Sequence, residues 1–312
     1  MKLEKRKIVI IGCGHVGVST AFCLINQGLC DEIALIDLNE EKVLGEVLDL
    51  SQSIEYMNRN THVKVGRYED CEDAQIVIIT ASVPTPQSGN DRLKMLEPSL
   101  NVMKSIITQI KEHHFDGHLI VVSNPVDLMS YYAYKLSGLP ANQVIGTGTT
   151  LDTARLKYFI AQKIQVDPRS VHAMVIGEHG DSEMIPWSTV RIGGKDIYSV
   201  VQDNQSRLGQ EPYQQMKKDT IQAGWEIFNR KGNTCYGIAS STVGIIRTIL
   251  HNENQILPVS TLLRGEYGQD DLFISVPAII DRSGVREIVE LRMTPQEQEE
   301  FNQSCQRLKS FY

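Results

Sequence analysis

Short β-branched runs alternate with longer amphipathic stretches along the first half of the chain. Ile8–Ile11, Glu32–Ile36, His62–Val65, Ile76–Thr80, Leu119–Val122 and Val144–Ile145 read as strands. Val16–Asn26, Glu41–Ser51 and Leu93–Glu112 carry helical patterns between them. This alternation predicts an α/β fold on a doubly wound parallel sheet with right-handed crossovers. From residue 147 the rhythm changes to longer helices and clustered strands, so residues 1–146 are expected to form one domain and residues 147–312 a second, α+β one. The connection should be short, because no Pro/Ser-rich or low-complexity tether separates them. Thr294-Pro295-Gln296-Glu297 offers an N-cap threonine, a proline at the first helical position and a glutamate at the third, which predicts a terminal helix from Pro295 to Lys309.

Composition narrows the class. The chain has 312 residues, about two domains' worth, and 41% of them are hydrophobic, which fits a soluble globular protein. The net charge is −7 and the pI near 5.7, against a general nucleic-acid or anionic-membrane binder but compatible with a local basic site for a small anion. Cys13, Cys23, Cys30, Cys71, Cys235 and Cys305 form no C-x-x-C pair and no zinc-finger spacing, and so read as core thiols of a reducing compartment. The basic start of the chain mimics a secretory signal, but its apolar run ends at Gly12, and a cytoplasmic protein is expected. The histidines form no H-x-x-x-H or similar set, so no metal is expected.

Gly12-Cys13-Gly14-His15-Val16-Gly17 is a G-x-G-x-x-G between a predicted strand and a predicted helix. Asp37 ends the second strand, where a carboxylate accepts both ribose hydroxyls of an adenosine. The glycines permit a tight turn and let a pyrophosphate approach backbone amides at the positive end of a helix. An acidic Asp37 repels a 2′-phosphate, so the motif favours NAD over NADP.

Three further clusters carry chemistry. His179, in Gly177-Glu178-His179-Gly180-Asp181, follows the strand pattern Val171–Ile176 and is placed where a general base meets a ligand. Asp152 and Arg155 lie at i and i+3 on one face of a predicted helix. Ser123-Asn124-Pro125-Val126-Asp127 sits at the carboxyl end of a strand, the edge where open α/β sheets bind ligands. Singly, a loop histidine and a surface ion pair are ordinary features; together, behind a dinucleotide fingerprint, they point to an oxidoreductase.

These segments, with Thr80–Leu96, Gly146–Thr149, Lys231–Ala239 and Ser275–Gly284, resemble the L-lactate and L-malate dehydrogenase family over the full chain, in particular its lactate and L-2-hydroxyisocaproate branch. The resemblance implies a Rossmann-type NAD domain followed by a substrate domain. It implies that His179 exchanges the proton of the substrate hydroxyl, that Asp152 holds the imidazole, that Arg155 clamps the substrate carboxylate and that Arg92 polarises the carbonyl. Asn124 helps orient the same group. Gly12, Gly14, Val16, Gly17, Asp37, Thr80, Ala81, Ser123, Asn124 and Ile238 fall at the cofactor. The segment from Ala81 to Arg92 is implied to fold over the substrate.

The same segment is expected to read the substrate side chain. It carries no positive charge before Arg92 to pair a second carboxylate, which disfavours malate. It also looks one residue longer than in lactate enzymes, so Thr85, Pro86 or Gln87 could occupy the reading position. Thr234 matches the residue closing the methyl pocket. L-lactate is the first expectation and a longer L-2-hydroxy acid the second. The resemblance further implies a homotetramer and a fructose 1,6-bisphosphate site at Lys157 and His172, with lysine where arginine is usual. The rival of another class is a catalytically silent NAD-binding or structural protein, against which the full set of reacting residues speaks.

Overall fold

The apolar run Lys7–Ile11 forms strand β1, buried along its whole length. The computed structural model describes residues 5–83 and 92–312. After β1 come α1 (His15–Gln27), β2 (Glu32–Ile36), α2 (Glu40–Ser53), β3 (His62–Val65), β4 (Ile76–Ile79), α3 (Arg92–Glu112), β5 (His118–Val121), α4 (Val126–Ser137) and β6 (Val144–Gly146). These six strands run parallel in the order β3-β2-β1-β4-β5-β6. The winding reverses between β1 and β4, which opens a crevice above their carboxyl ends. The expected Rossmann-type α/β sheet is therefore present.

Because alternate side chains of a strand face opposite ways, the sheet feeds two cores. Val9, Ile11, Val77, Ile79 and Val121 pack on one face; Ile8, Ile10, Ile76, Ile78 and Ile120 pack on the other.

The second half begins with α5 (Thr150–Ile164), β7 (Val171–His172), β8 (Arg191–Ile192) and β9 (Lys195–Asp196). It continues through α6 (Ile197–Asp203), α7 (Gln205–Leu208), α8 (Pro212–Lys231) and α9 (Tyr236–His251), then β10 (Gln255–Arg264), β11 (Asp270–Asp281), β12 (Gly284–Ile288) and α10 (Pro295–Lys309). Strands β7, β8 and β9 make a small antiparallel sheet over a third core that includes Leu156, Ile160 and Val190. The other three strands do not form a separate sheet. They extend the first one to nine strands, joined where Ser260 of β10 pairs antiparallel with Gly146 of β6.

The strand pattern Val171–Ile176 is realised only at Val171–His172, apart from single bridges at Ile176 and Gly177. The physical reason lies in α5. Val175 N–H donates to Thr153 Oγ1 at 2.8 Å, and Val175 C=O accepts from Thr149 Oγ1 at 2.5 Å, so side chains take the bonds a neighbouring strand would have made. At the far end, α10 has the predicted capping box: Thr294 N–H donates to Glu297 Oε2 at 2.8 Å while Glu297 N–H donates to Thr294 Oγ1 at 3.3 Å.

Candidate active site

The turn after β1 shows why three glycines stand there. Gly12 has φ +104°, and a Cβ on it would lie 2.4 Å from the amide nitrogen of Ala81. A Cβ on Gly17 would lie 2.0 Å from the Gly12 carbonyl oxygen, so α1 could not pack this close to the turn. Gly14 faces open space instead, with nothing within 4 Å. It caps α1 without a side-chain bond, and Val18 makes the first helical bond, to the Gly14 carbonyl at 3.1 Å. The amides of His15, Val16 and Gly17 thus project from the helix N-terminus, a cradle that fits a pyrophosphate.

Asp37 tightens this cradle. Its Oδ2 accepts from Cys13 N–H at 2.6 Å and its Oδ1 from Asn39 N–H at 3.2 Å. A carboxylate has about four lone-pair sites, so two remain for ribose hydroxyls. Thr80 Oγ1 donates to the Gly12 carbonyl at 2.6 Å, and Ser123 Oγ donates to the Ala81 carbonyl at 2.5 Å, so both hold the turn and strand ends. The residues present fit a dinucleotide.

The reacting groups meet one strand further along. Helix α5 carries Asp152 and Arg155 one turn apart, and the buried Asp152 carboxylate bridges two partners. Its Oδ2 lies 2.6 Å from His179 Nδ1, and its Oδ1 accepts from an Arg155 terminal nitrogen at 2.8 Å. His179 sits in the loop after Gly177, whose φ of +96° glycine tolerates. That loop is fastened on three sides. Gly177 exchanges backbone bonds with Ser275 of β11, Glu178 N–H donates to Ser304 Oγ of α10 at 2.8 Å, and His179 N–H donates to Asp127 Oδ2 at 2.8 Å. Asp127 Oδ1 in turn accepts from Ser260 Oγ at 2.6 Å.

Burial disfavours a charged imidazole at His179, but the Asp152 carboxylate against its ring outweighs that and pushes the group up to about 9. Burial also works against ionised Asp152, yet His179 and Arg155 hold its carboxyl below the usual range. Asp127 goes the other way: burial pushes it up to about 6 despite the hydroxyl and amide it accepts from. Glu183 is raised well above the ordinary range by burial and by the Asp152 charge.

A cavity of about 320 Å³ joins Asn124, Asp152, Arg155 and His179 to Val16, Thr234 and Ile238. Helix α8 adds an apolar wall of Ile221, Trp225 and Phe228, which the sequence reading did not single out. Asp127 and Glu183 were also not assigned roles; the signal available for Glu183 was an acid directly before the apolar pair Met184-Ile185. Lys157 is half-buried on α5 and His172 exposed on β7, and neither lines this cavity. Gln87, with Thr85 and Pro86, lies outside the described residues, as does the side chain of Arg92, whose backbone opens α3.

Two family models cover the chain: lactate/malate dehydrogenase, NAD binding domain, at residues 6–146, and lactate/malate dehydrogenase, alpha/beta C-terminal domain, at residues 149–311. L-lactate dehydrogenase 3 of Bacillus thuringiensis subsp. konkukian (strain 97-27) is 46% identical over 311 residues, covering 100% of this chain and 98% of its own length. An L-lactate dehydrogenase of Lactococcus lactis subsp. cremoris (strain NZ9000) is 46% identical over 309 residues, 99% of this chain and 98% of its own. Among solved structures, the ligand-bound minor L-lactate dehydrogenase of Enterococcus mundtii superposes with a TM-score of 0.94 at 46% identity, covering 98% of this chain and 97% of that one.

Proposed function

The chain belongs to the lactate/malate dehydrogenase family and is an NAD-dependent L-lactate dehydrogenase, and we propose that His179, Asp152 and Arg155 carry its chemistry. The observation that carries this reading is the single buried carboxylate of Asp152 holding both His179 and Arg155 at the wall of one cavity. NAD supplies the hydride acceptor for lactate oxidation and, reduced, the hydride donor for pyruvate reduction. With Nδ1 of His179 held by Asp152, Nε2 is left to take the hydroxyl proton of lactate and to return it to the carbonyl oxygen of pyruvate. Asp152 stabilises the imidazolium and fixes its orientation. Arg155 forks onto the substrate carboxylate. Asn124 orients the oxygen that changes between hydroxyl and carbonyl, and Arg92 polarises it, as the family resemblance implies. Val16, Thr147 and Ile238 line the cavity and would hold the nicotinamide.

A longer L-2-hydroxy acid is the second reading, favoured by the apolar wall of Ile221, Trp225 and Phe228. The test is kcat/KM for pyruvate, 2-oxoisocaproate and oxaloacetate with NADH. Fastest turnover of pyruvate is expected; fastest turnover of oxaloacetate, or no turnover of any, overturns the reading.

Regulation, assembly and location belong to the same proposal. Lys157 and His172 lie on α5 and β7, which pack together, and Lys157 has no ion pair among the described residues, features that support a fructose 1,6-bisphosphate site. Exposed Leu44 and Leu48 on α2 and Tyr158 on α5 support a homotetramer, to be read by sedimentation. Six free thiols support a cytoplasmic setting. No helix among the described residues is long and apolar enough to cross a membrane. Pyruvate saturation curves that do not move on adding the bisphosphate dispose of the effector.

A further inference from the structure

Asp152, Asp181 and Glu183 line the reaction cavity and Asp127 stands beside it, and the mechanism uses only Asp152. Asp127 is satisfied by hydroxyls and the His179 amide. Glu183 is not: its side chain is buried and lines the cavity, and among the described residues its Oε1 has no hydrogen-bond partner. One ligating atom of each of Asp152, His179 and Glu183 lies within 4.8 Å of the other two. The Nε of Arg155, which lines the same cavity, is likewise buried without a partner among the described residues. A well-packed interior does not normally leave such atoms unmatched, and an unmatched pair facing one cavity marks a place where an arriving group completes the bonding.

The charges around Glu183 decide which form it takes. Asp152 and Arg155 face it from α5, His179 from its own loop and Lys217 from α8. Asp152 is already ionised between His179 and Arg155, so a second negative charge beside it is costly, and burial pushes Glu183 the same way, toward the protonated acid. An ionised Glu183 would also repel the anionic substrate and compete for Arg155. As an acid it is a donor, and the incoming 2-oxo acid brings an acceptor for it.

Resting on the reading of the site as a 2-hydroxy-acid dehydrogenase, we propose that Glu183 is a further substrate-binding residue: its carboxyl group, in the acid form, donates a hydrogen bond to the carboxylate of the bound 2-oxo acid alongside Arg155. The reaction consumes no proton from it. Glutamine has the same shape and a donor but no ionisation, and so mimics the working form.

Steady-state kinetics with pyruvate and NADH on the full chain test this with two substitutions. Glu183→Ala should raise KM for pyruvate and weaken oxamate binding about tenfold, the scale of one hydrogen bond to a charged group, with KM for NADH unchanged, and Glu183→Gln, which keeps the donor, should recover most of that loss. Infrared difference spectra at neutral pH should show the carbonyl stretch of a protonated carboxylic acid that shifts when oxamate binds and is missing in Glu183→Gln. Glutamine as damaging as alanine, or no acid band assignable to Glu183, overturns the proposal. If the parent reduces no 2-oxo acid at all, the functional reading itself has failed; if the parent is active and Glu183→Ala keeps the parental KM, only the role of Glu183 has failed.

Discussion

The amide of His179 donates to the carboxylate of Asp127 across 2.8 Å, so the loop bearing the imidazole is anchored to the first turn of α4 beneath the cavity. The bond joins a residue at the carboxyl edge of the parallel sheet to one that follows it in chain order by 52 positions. Asp127→Asn keeps the size but turns one acceptor into a donor facing a hydroxyl or an amide. Loss of about 1–3 kcal/mol is expected from such a mismatch, a fall in Tm of several degrees, together with a lower kcat and an unchanged KM for NADH. Parental Tm and kcat in this variant would show that the anchor does nothing.

The protonation of His179 sets the pH range of each direction. Its group is raised to about 9, so the imidazolium that protonates pyruvate persists up to that pH and is lost above it. Pyruvate reduction should therefore hold level through neutrality and decline above about 9, while lactate oxidation, which needs the neutral ring, should climb up to the same point. A midpoint at neutral pH in the free enzyme's kcat/KM profile for pyruvate would contradict this.

Asp152 is the cause of that position, so its charge can be removed separately. Asp152→Asn should bring the midpoint down toward the ordinary histidine value of about 6.5 and lower kcat/KM for pyruvate at pH 7 by about a hundredfold. An unmoved midpoint would place the control elsewhere.

Arg155 is tested by a change that keeps its charge. Arg155→Lys loses the planar fork and the bond to Asp152 Oδ1, and KM for pyruvate should rise by about ten- to a hundredfold, the scale of ~1.5–3 kcal/mol for bonds to a charged group, with a smaller effect on kcat. A rise in KM for NADH instead would mean that the residue serves the cofactor.

The proposed site gives the charge of Asp37 a testable effect on cofactor choice. Asp37→Asn keeps an acceptor for the Cys13 amide but removes the repulsion of a 2′-phosphate. The ratio of kcat/KM for NADH over NADPH should fall by about fivefold, the scale of ~1 kcal/mol between two charges ~4 Å apart in water. An unchanged ratio would rule this out.

Most of the first half was legible because its strands are short apolar runs and its helices begin and end on recognisable residues. Glu32–Ile36 and His62–Val65 are strands at the bounds expected from pattern alone, and α10 begins and ends as its cap predicts. Long-range pairing was not legible. Nothing local in Gln255–Arg264 says that its Ser260 will lie against Gly146, and nothing in Val171–Ile176 says that Thr149 and Thr153 will take the backbone bonds of Val175. The same limit applies to the site. His179, Asp152 and Arg155 were singled out by their motifs taken together and by the family resemblance, whereas Asp127 and Glu183 stand out only through what the folded chain packs around them.

The join between Ser260 and Gly146 has a mechanical meaning. A hinge between two domains needs a flexible strap, but here a continuous sheet runs from β3 through β6 to β12, and Ser260 also bonds the carboxylate that anchors His179. The half that carries the Gly12–Gly17 turn and the half that carries Asp152 and His179 share one plate. Heating should melt that plate in a single cooperative step.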